Sequence, residues 1–201
     1  MYIALGLLAG LLVFALITAS AISRIYNRLV KMSNQTNNGF KQISVQLQRR
    51  YDLIPNLVEA VRGYMKHESE TLEAVIAARN QATSQLKNAA ANPTDGAAIA
   101  SLASADGVLT GALGAMSFVM EDYPELKANE SVARLTEELT STENRIAFAR
   151  QSYNDWATAF NITRQSFPTV AVANMLGYGD DFTLLAFENH EIKRAPKVSL
   201  V

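Results

Sequence analysis

The sequence predicts an all-α protein: an N-terminal transmembrane helix that continues into a long antiparallel four-helix bundle. Three observations carry this. Ile3 to Ile22 is a run of twenty residues without a charge. Apolar residues then recur at steps of three and four through several long stretches, the spacing of one helix face. No stretch alternates with the period of two that a half-buried strand needs.

The first element is the anchor, residues 1–22. Twenty residues at a helical rise of about 1.5 Å cover the roughly 30 Å hydrocarbon core of a bilayer. A lone run in lipid must satisfy its own backbone, so it is a helix. Ala19-Ser20-Ala21 resembles a signal-peptidase site, but only Met1 and Tyr2 precede the run, so there is no basic leader region. The apolar run also exceeds the usual length of about 7–15 residues in a cleaved signal, so an uncleaved anchor is expected. Arg24, Arg28 and Lys31 follow directly, and the positive-inside rule then puts the body in the cytoplasm and the N-terminus outside. The same three cations are the candidates for contact with lipid headgroups. Gly6 and Gly10 form a G-x-x-x-G, and Ala15 and Ala19 repeat the spacing. Such residues let helices approach closely in lipid, although ordinary membrane-helix composition produces the same pattern.

The bundle is expected over 23–166. A seam runs through Ile22, Ile25, Leu29, Met32, Thr36, Phe40, Ile43, Leu47, Tyr51 and Ile54, so the anchor helix should continue into the body. Gly39 and the polar stretch Asn34 to Asn38 weaken it locally, where a bend is plausible. Pro55 lacks an N–H and disfavours helix just before it, so either a new helix starts there or the old one kinks. Leu57, Val58, Val61, Tyr64, Leu72, Val75 and Ile76 extend a stripe to about Ala90, and Asn92-Pro93-Thr94-Asp95-Gly96 reads as a turn. A third helix, about 97–126, carries Ile99, Leu102, Leu109, Leu113, Met116 and Tyr123 on one face. Its Gly107, Gly111 and Gly114 each cost about 1 kcal/mol against alanine. The fourth helix has the clearest seam, from Val132 through Leu135, Leu139, Ile146, Tyr153 and Trp156 to Phe160, with capping residues at Asn129 to Ser131. Ser166-Phe167-Pro168 closes it. Residues 167–201 read as irregular, either packed on the bundle or binding a partner through Phe182, Leu184, Leu185 and Phe187.

Chemistry is hard to place anywhere. The absence of cysteine removes disulfides, thiolate catalysis and thiolate zinc sites. His67 and His190 are the only histidines, and His67-Glu68 lacks the second histidine of a zincin. There is no phosphate loop and no nucleophile elbow, and Asp180-Asp181 reads as a solvated pair. No enzyme, cofactor or metal is expected. Charge is polarised: 23–66 holds eight basic and two acidic residues, whereas 67–145 holds five basic and twelve acidic ones. This is either topology-setting charge with solvated faces or a basis for pairing basic face to acidic face between copies. A near-neutral chain whose basic part abuts the bilayer is not expected to bind nucleic acid.

Several stretches together resemble the LemA family of bacterial membrane proteins. They include Tyr26-Asn27-Arg28-Leu29-Val30, Gln46 to Glu59 with its core Arg49-Arg50-Tyr51-Asp52-Leu53-Ile54-Pro55-Asn56-Leu57-Val58, and Gly63 to Glu68. Further on come Ala78-Arg79, Tyr123 to Asn129, Thr142 to Ile146, Ala149-Arg150, Tyr153-Asn154 and Phe167-Pro168. The resemblance implies a helical bundle behind a single span in a bacterial inner membrane, with no established enzyme activity. Relatives are associated with membrane organisation, including magnetosome membranes, or act beside membrane-bound metallopeptidases. It therefore implies a self-assembling scaffold contacting membrane lipid, or else an adaptor for a membrane protein partner. For the motif residues, Arg49, Arg50, Asp52 and Pro55, joined by Asn144, Arg145 and Arg150, the reading is an ion-pair and capping network that fixes bundle register.

Overall fold

The computed structural model describes residues 2–186, and among these every regular element is helical. The elements are α1 (Tyr2–Arg62), α2 (Ser69–Ala91), α3 (Gly96–Met120), the single turn α4 (Pro124–Lys127), α5 (Glu130–Gln165) and the single turn α6 (Thr169–Val172). α1 is 61 residues long and runs unbroken from the apolar run into the body. Its first part touches nothing: Leu5, Leu8, Leu11, Phe14 and Ile17 are all more than 60% exposed. From Leu29 onward the predicted seam becomes core, with Ile43, Leu47, Tyr51 and Ile54 wholly buried.

The body is an antiparallel arrangement of two helix pairs. α1 packs along α5, α2 packs along α3, and α1 against α2 joins the pairs. Gly39 lies at a close approach of α1 and α5: a Cβ there would sit 3.1 Å from the Tyr153 Cα. The residue expected to weaken α1 is thus the one that lets α5 come near. Asn129 caps α5, accepting from the N–H groups of Ser131 and Val132. Asp95 caps α3 by accepting from the Ala97 N–H.

Of the two alternatives at Pro55 the helix does not restart: α1 carries the proline inside and ends at Arg62, with the turn at Gly63 to Glu68. One boundary differs from the sequence reading. The third helix stops at Met120 rather than near 126, because Tyr123-Pro124 opens the separate turn α4. Residues 167–186 are not an independent tail. They form a cap at the end of α5 and then an extended strand-like stretch lying on it.

Candidate functional site

The motif residues Arg50, Tyr51, Asp52 and Pro55 lie in the last turns of α1. Pro55 has no N–H for the carbonyl four residues back, so the Tyr51 carbonyl is left without a helical partner. Arg79 of α2 supplies one: its Nε donates to the Tyr51 oxygen at 2.9 Å. Asp52, one residue on, steadies the same guanidinium at 3.5 Å. The proline is tolerated because a neighbouring helix fills the gap it makes, and the gap in turn fixes where α2 docks.

One position earlier, Arg50 reaches the other way. Its side chain is 5% exposed and its Nη1 donates to Asp106 of α3 at 3.1 Å. The same nitrogen lies 3.1 Å from Glu143 of α5, and Nη2 donates to the Thr110 hydroxyl at 2.9 Å. Tyr51 donates its phenol to Asp106 at 2.9 Å. Burial, followed by the neighbouring Asp106 charge, pushes the Tyr51 phenol above its ordinary range. A buried arginine, a buried carboxylate and a buried phenol thus tie α1 to α3 and α5.

This hub floors an open groove of about 1590 Å³ between α3 and α5. Its α3 wall carries Gly107, Gly111 and Gly114, and a side chain at any of these would meet open space. Val132, Thr136, Leu139 and Thr140 form the α5 wall, while Thr183, Leu184 and Ala186 close one end. α3 is long and apolar enough to cross a membrane by composition. Its central Asp106, however, is spent on Arg50 and Tyr51 inside the body.

The other sequence candidates are dispersed. Arg49 makes only an outer pair with Glu138 at 3.8 Å. Asn144 and Arg145 are exposed on α5, where both border a shallow hollow with Lys41, Val45 and Phe148. Arg150 lies at the groove end and has interaction partners of its own. The expected network therefore divides in two: Arg50 pairs with Asp106 and Glu143, and Asp52 with Arg79. Asp106, Glu143 and Arg79 stand outside the network read from the sequence; Asp106 is 56 residues from Arg50 and nothing local marks it. Gly6 and Gly10 have nothing within 4 Å, and Arg24, Arg28 and Lys31 are exposed. His67 is exposed, His190 lies outside the described residues, and Asp181 pairs with Arg164. Among the described residues no group of three or more acidic, histidine or cysteine side chains could hold a metal.

The stretch after the cap docks by geometry that the sequence also carries. Asn161 brackets Phe182, donating to its carbonyl and accepting from its N–H, both at 2.9 Å. Asn154 does the same for Leu185 at 3.2 and 2.9 Å. Seven helical residues span about 10.5 Å and three extended ones about 10 Å, so the two asparagines match the two backbones they hold. Phe182 and Leu185 are buried on this chain's own bundle, not left free for a partner.

The family model for the LemA family matches residues 39–200. The chain belongs to the LemA family. Among curated relatives, it is 28% identical to Protein LemA of Metamycoplasma hominis over 168 residues, covering 84% of this chain and 71% of that protein. It is 27% identical to Magnetosome protein MamQ 2 of Paramagnetospirillum magneticum and 24% identical to Magnetosome protein MamQ of Magnetospirillum gryphiswaldense. Each of these two matches covers 76% of this chain and 62% of the relative. None of these names denotes a reaction. LemA membership and the apolar, uncovered start of α1 make this a membrane-associated protein, and the matched region includes Arg50 and Tyr51, which tie α1 to α3 and α5.

Proposed function

We propose that this LemA-family chain is a non-enzymatic scaffold, anchored in the bacterial inner membrane, whose bodies assemble into a homo-oligomer that organises or remodels that membrane. The N-terminus lies outside and the body in the cytoplasm, as Arg24, Arg28 and Lys31 after the span favour. The observation that carries the reading is the α3–α5 groove. Its volume holds about 20 Å of a helix some 10 Å across, and its glycine wall allows close approach of another backbone. On its floor Arg50 is taken up by Asp106, Glu143 and Thr110. A second, unlike apolar surface, Val45 and Phe148 at 63% and 77% exposure, lies on another face. Where one such surface meets the other on a second copy, the contacts are heterologous and extend into rings or open assemblies.

The long-range charge polarity contributes less than the sequence suggests, since Arg49 and Arg50 already meet Glu138, Glu143 and Asp106 within one chain. The second reading is an adaptor that holds a membrane protease or another membrane partner. It rests on the same groove, whose rim includes the chain's own Thr183, Leu184 and Ala186. The test is the mass of the full-length protein extracted in native lipid particles, by mass photometry. A large uniform assembly supports the scaffold. A monomer copurifying with one stoichiometric membrane protein supports the adaptor and overturns the scaffold.

A further inference from the structure

The end of the bundle nearest the span carries a patch that the scaffold reading does not use. Gly39 faces Tyr153 and Arg50 faces Glu143, so α1 and α5 run antiparallel in a fixed register. Continued to the end of α5, that register puts Gln165 beside about Arg28. Six residues separate Arg28 from Ile22, the last residue of the uncharged run, which is about 9 Å of helix. The segment Ser166 to Gly179 follows α5 at this end. Its position is fixed independently by Tyr178, whose ring lies 6.2 Å from that of Tyr26, four residues past the span.

The segment is built to be rigid. The Tyr178 N–H donates to the Ala173 carbonyl across Gly177, whose φ of +82° only glycine adopts cheaply. Arg164 ties the return by donating to the Gly179 carbonyl and the Asp181 carboxylate. Thr169 and Ala173 face inward and are buried. Facing outward, Phe167 is 85% exposed, Met175 87% and Val170 49%. All fourteen residues from Ser166 to Gly179 are uncharged. Large apolar side chains exposed on an ordered turn in water are a liability. At the membrane–water boundary, beside Tyr26 and Tyr178, the same composition is what an interfacial anchor requires.

We propose that Ser166 to Gly179 is a second membrane contact: a cap that lies in the headgroup layer, inserts Phe167, Val170 and Met175 at the acyl boundary and so sets the angle of the body to the bilayer. The inference rests on residues 1–22 spanning the membrane, and the experiment separates the two. The chain has no cysteine, so single substitutions label one site each. Phe167→Cys, Met175→Cys, Phe14→Cys in the span and Phe148→Cys on the distal body are each labelled with an environment-sensitive dye. They are placed in lipid nanodiscs at one full-length chain per disc and quenched by iodide or by nitroxide-bearing lipids. The expected result is that the Phe167 and Met175 sites are quenched by lipid nitroxides and several-fold less by iodide than the Phe148 site. Iodide quenching equal to the Phe148 site, with the Phe14 site still in lipid, overturns the cap and leaves the anchor standing. Protection from both quenchers means that protein covers the patch, which also overturns it. If the Phe14 site is open to iodide, the anchor fails, and the cap with it.

Discussion

Replacing Arg79 with methionine tests why a proline survives inside a 61-residue helix. The change removes the donor to the Tyr51 carbonyl, which sits on a residue with 0% exposure. Losing a hydrogen bond from a charged donor to a shielded acceptor costs about 1.5–3 kcal/mol. The companion pair to Asp52, whose side chain is 59% exposed, adds under about 1 kcal/mol. Replacing Pro55 with alanine restores an N–H that can bond the Tyr51 carbonyl within α1, and it removes an interior proline that itself costs up to about 3 kcal/mol. In the Pro55→Ala background, Arg79→Met should therefore lose only the exposed remainder. The cycle should show a coupling of about 1–2 kcal/mol, measured by thermal and denaturant unfolding of the four full-length proteins followed by circular dichroism. An Arg79→Met cost that is the same in both backgrounds refutes the claim that the arginine answers the proline.

Three further outcomes follow from the same structure. Arg50→Met leaves Asp106 charged and buried, and should cost about 3–5 kcal/mol, or roughly 6–20 °C in melting temperature for a chain of this size. The triple change Arg50→Met, Tyr51→Phe, Asp106→Leu, which also removes the phenol that Asp106 accepts from, should recover most of that loss, whereas a triple variant no more stable than the single one would show that the pair is not the source. Tyr153 is held by burial with its phenol pushed up to about 12, and Tyr51 higher still. Both phenols favour the folded state fully below pH 10 and lose that contribution as pH rises through their folded values. Absorbance titration near 295 nm should show them ionising only with unfolding. Asn154→Ala should speed amide exchange at Leu185 about tenfold, for roughly 1.4 kcal/mol of lost docking. It should leave Phe182 protected, and Asn161→Ala should do the reverse.

What the sequence conveys and what it hides follow a physical line. Helices and caps are local: the seam from Ile22 to Ile54 and the Asn129 cap are properties of neighbouring residues, and they stand in the structure as read. At Pro55 the sequence leaves open whether the helix restarts or continues, because what lets it continue comes from Arg79, on another helix. Gly39 looked like a weak point because helix propensity sees only its own helix, whereas its worth lies in how near Tyr153 can come. Asp106 sits in an apolar stretch where a lone carboxylate has no local meaning until Arg50 is packed against it. The asparagines of α5 did carry a signal, since two seven residues apart on one face match an extended strand. That signal becomes legible only once an extended partner is known.

The central claim is that the groove between α3 and α5 receives another copy of the chain, and Gly111→Leu tests it most directly. A leucine there meets open space within the chain and raises helix propensity by close to 1 kcal/mol, so the folded body should be slightly more stable while the groove is filled. Mass photometry of the wild-type and variant proteins in native lipid particles should show a large assembly for the first and a dissociated, fully folded chain for the second. An assembly of unchanged mass in the variant would contradict the account.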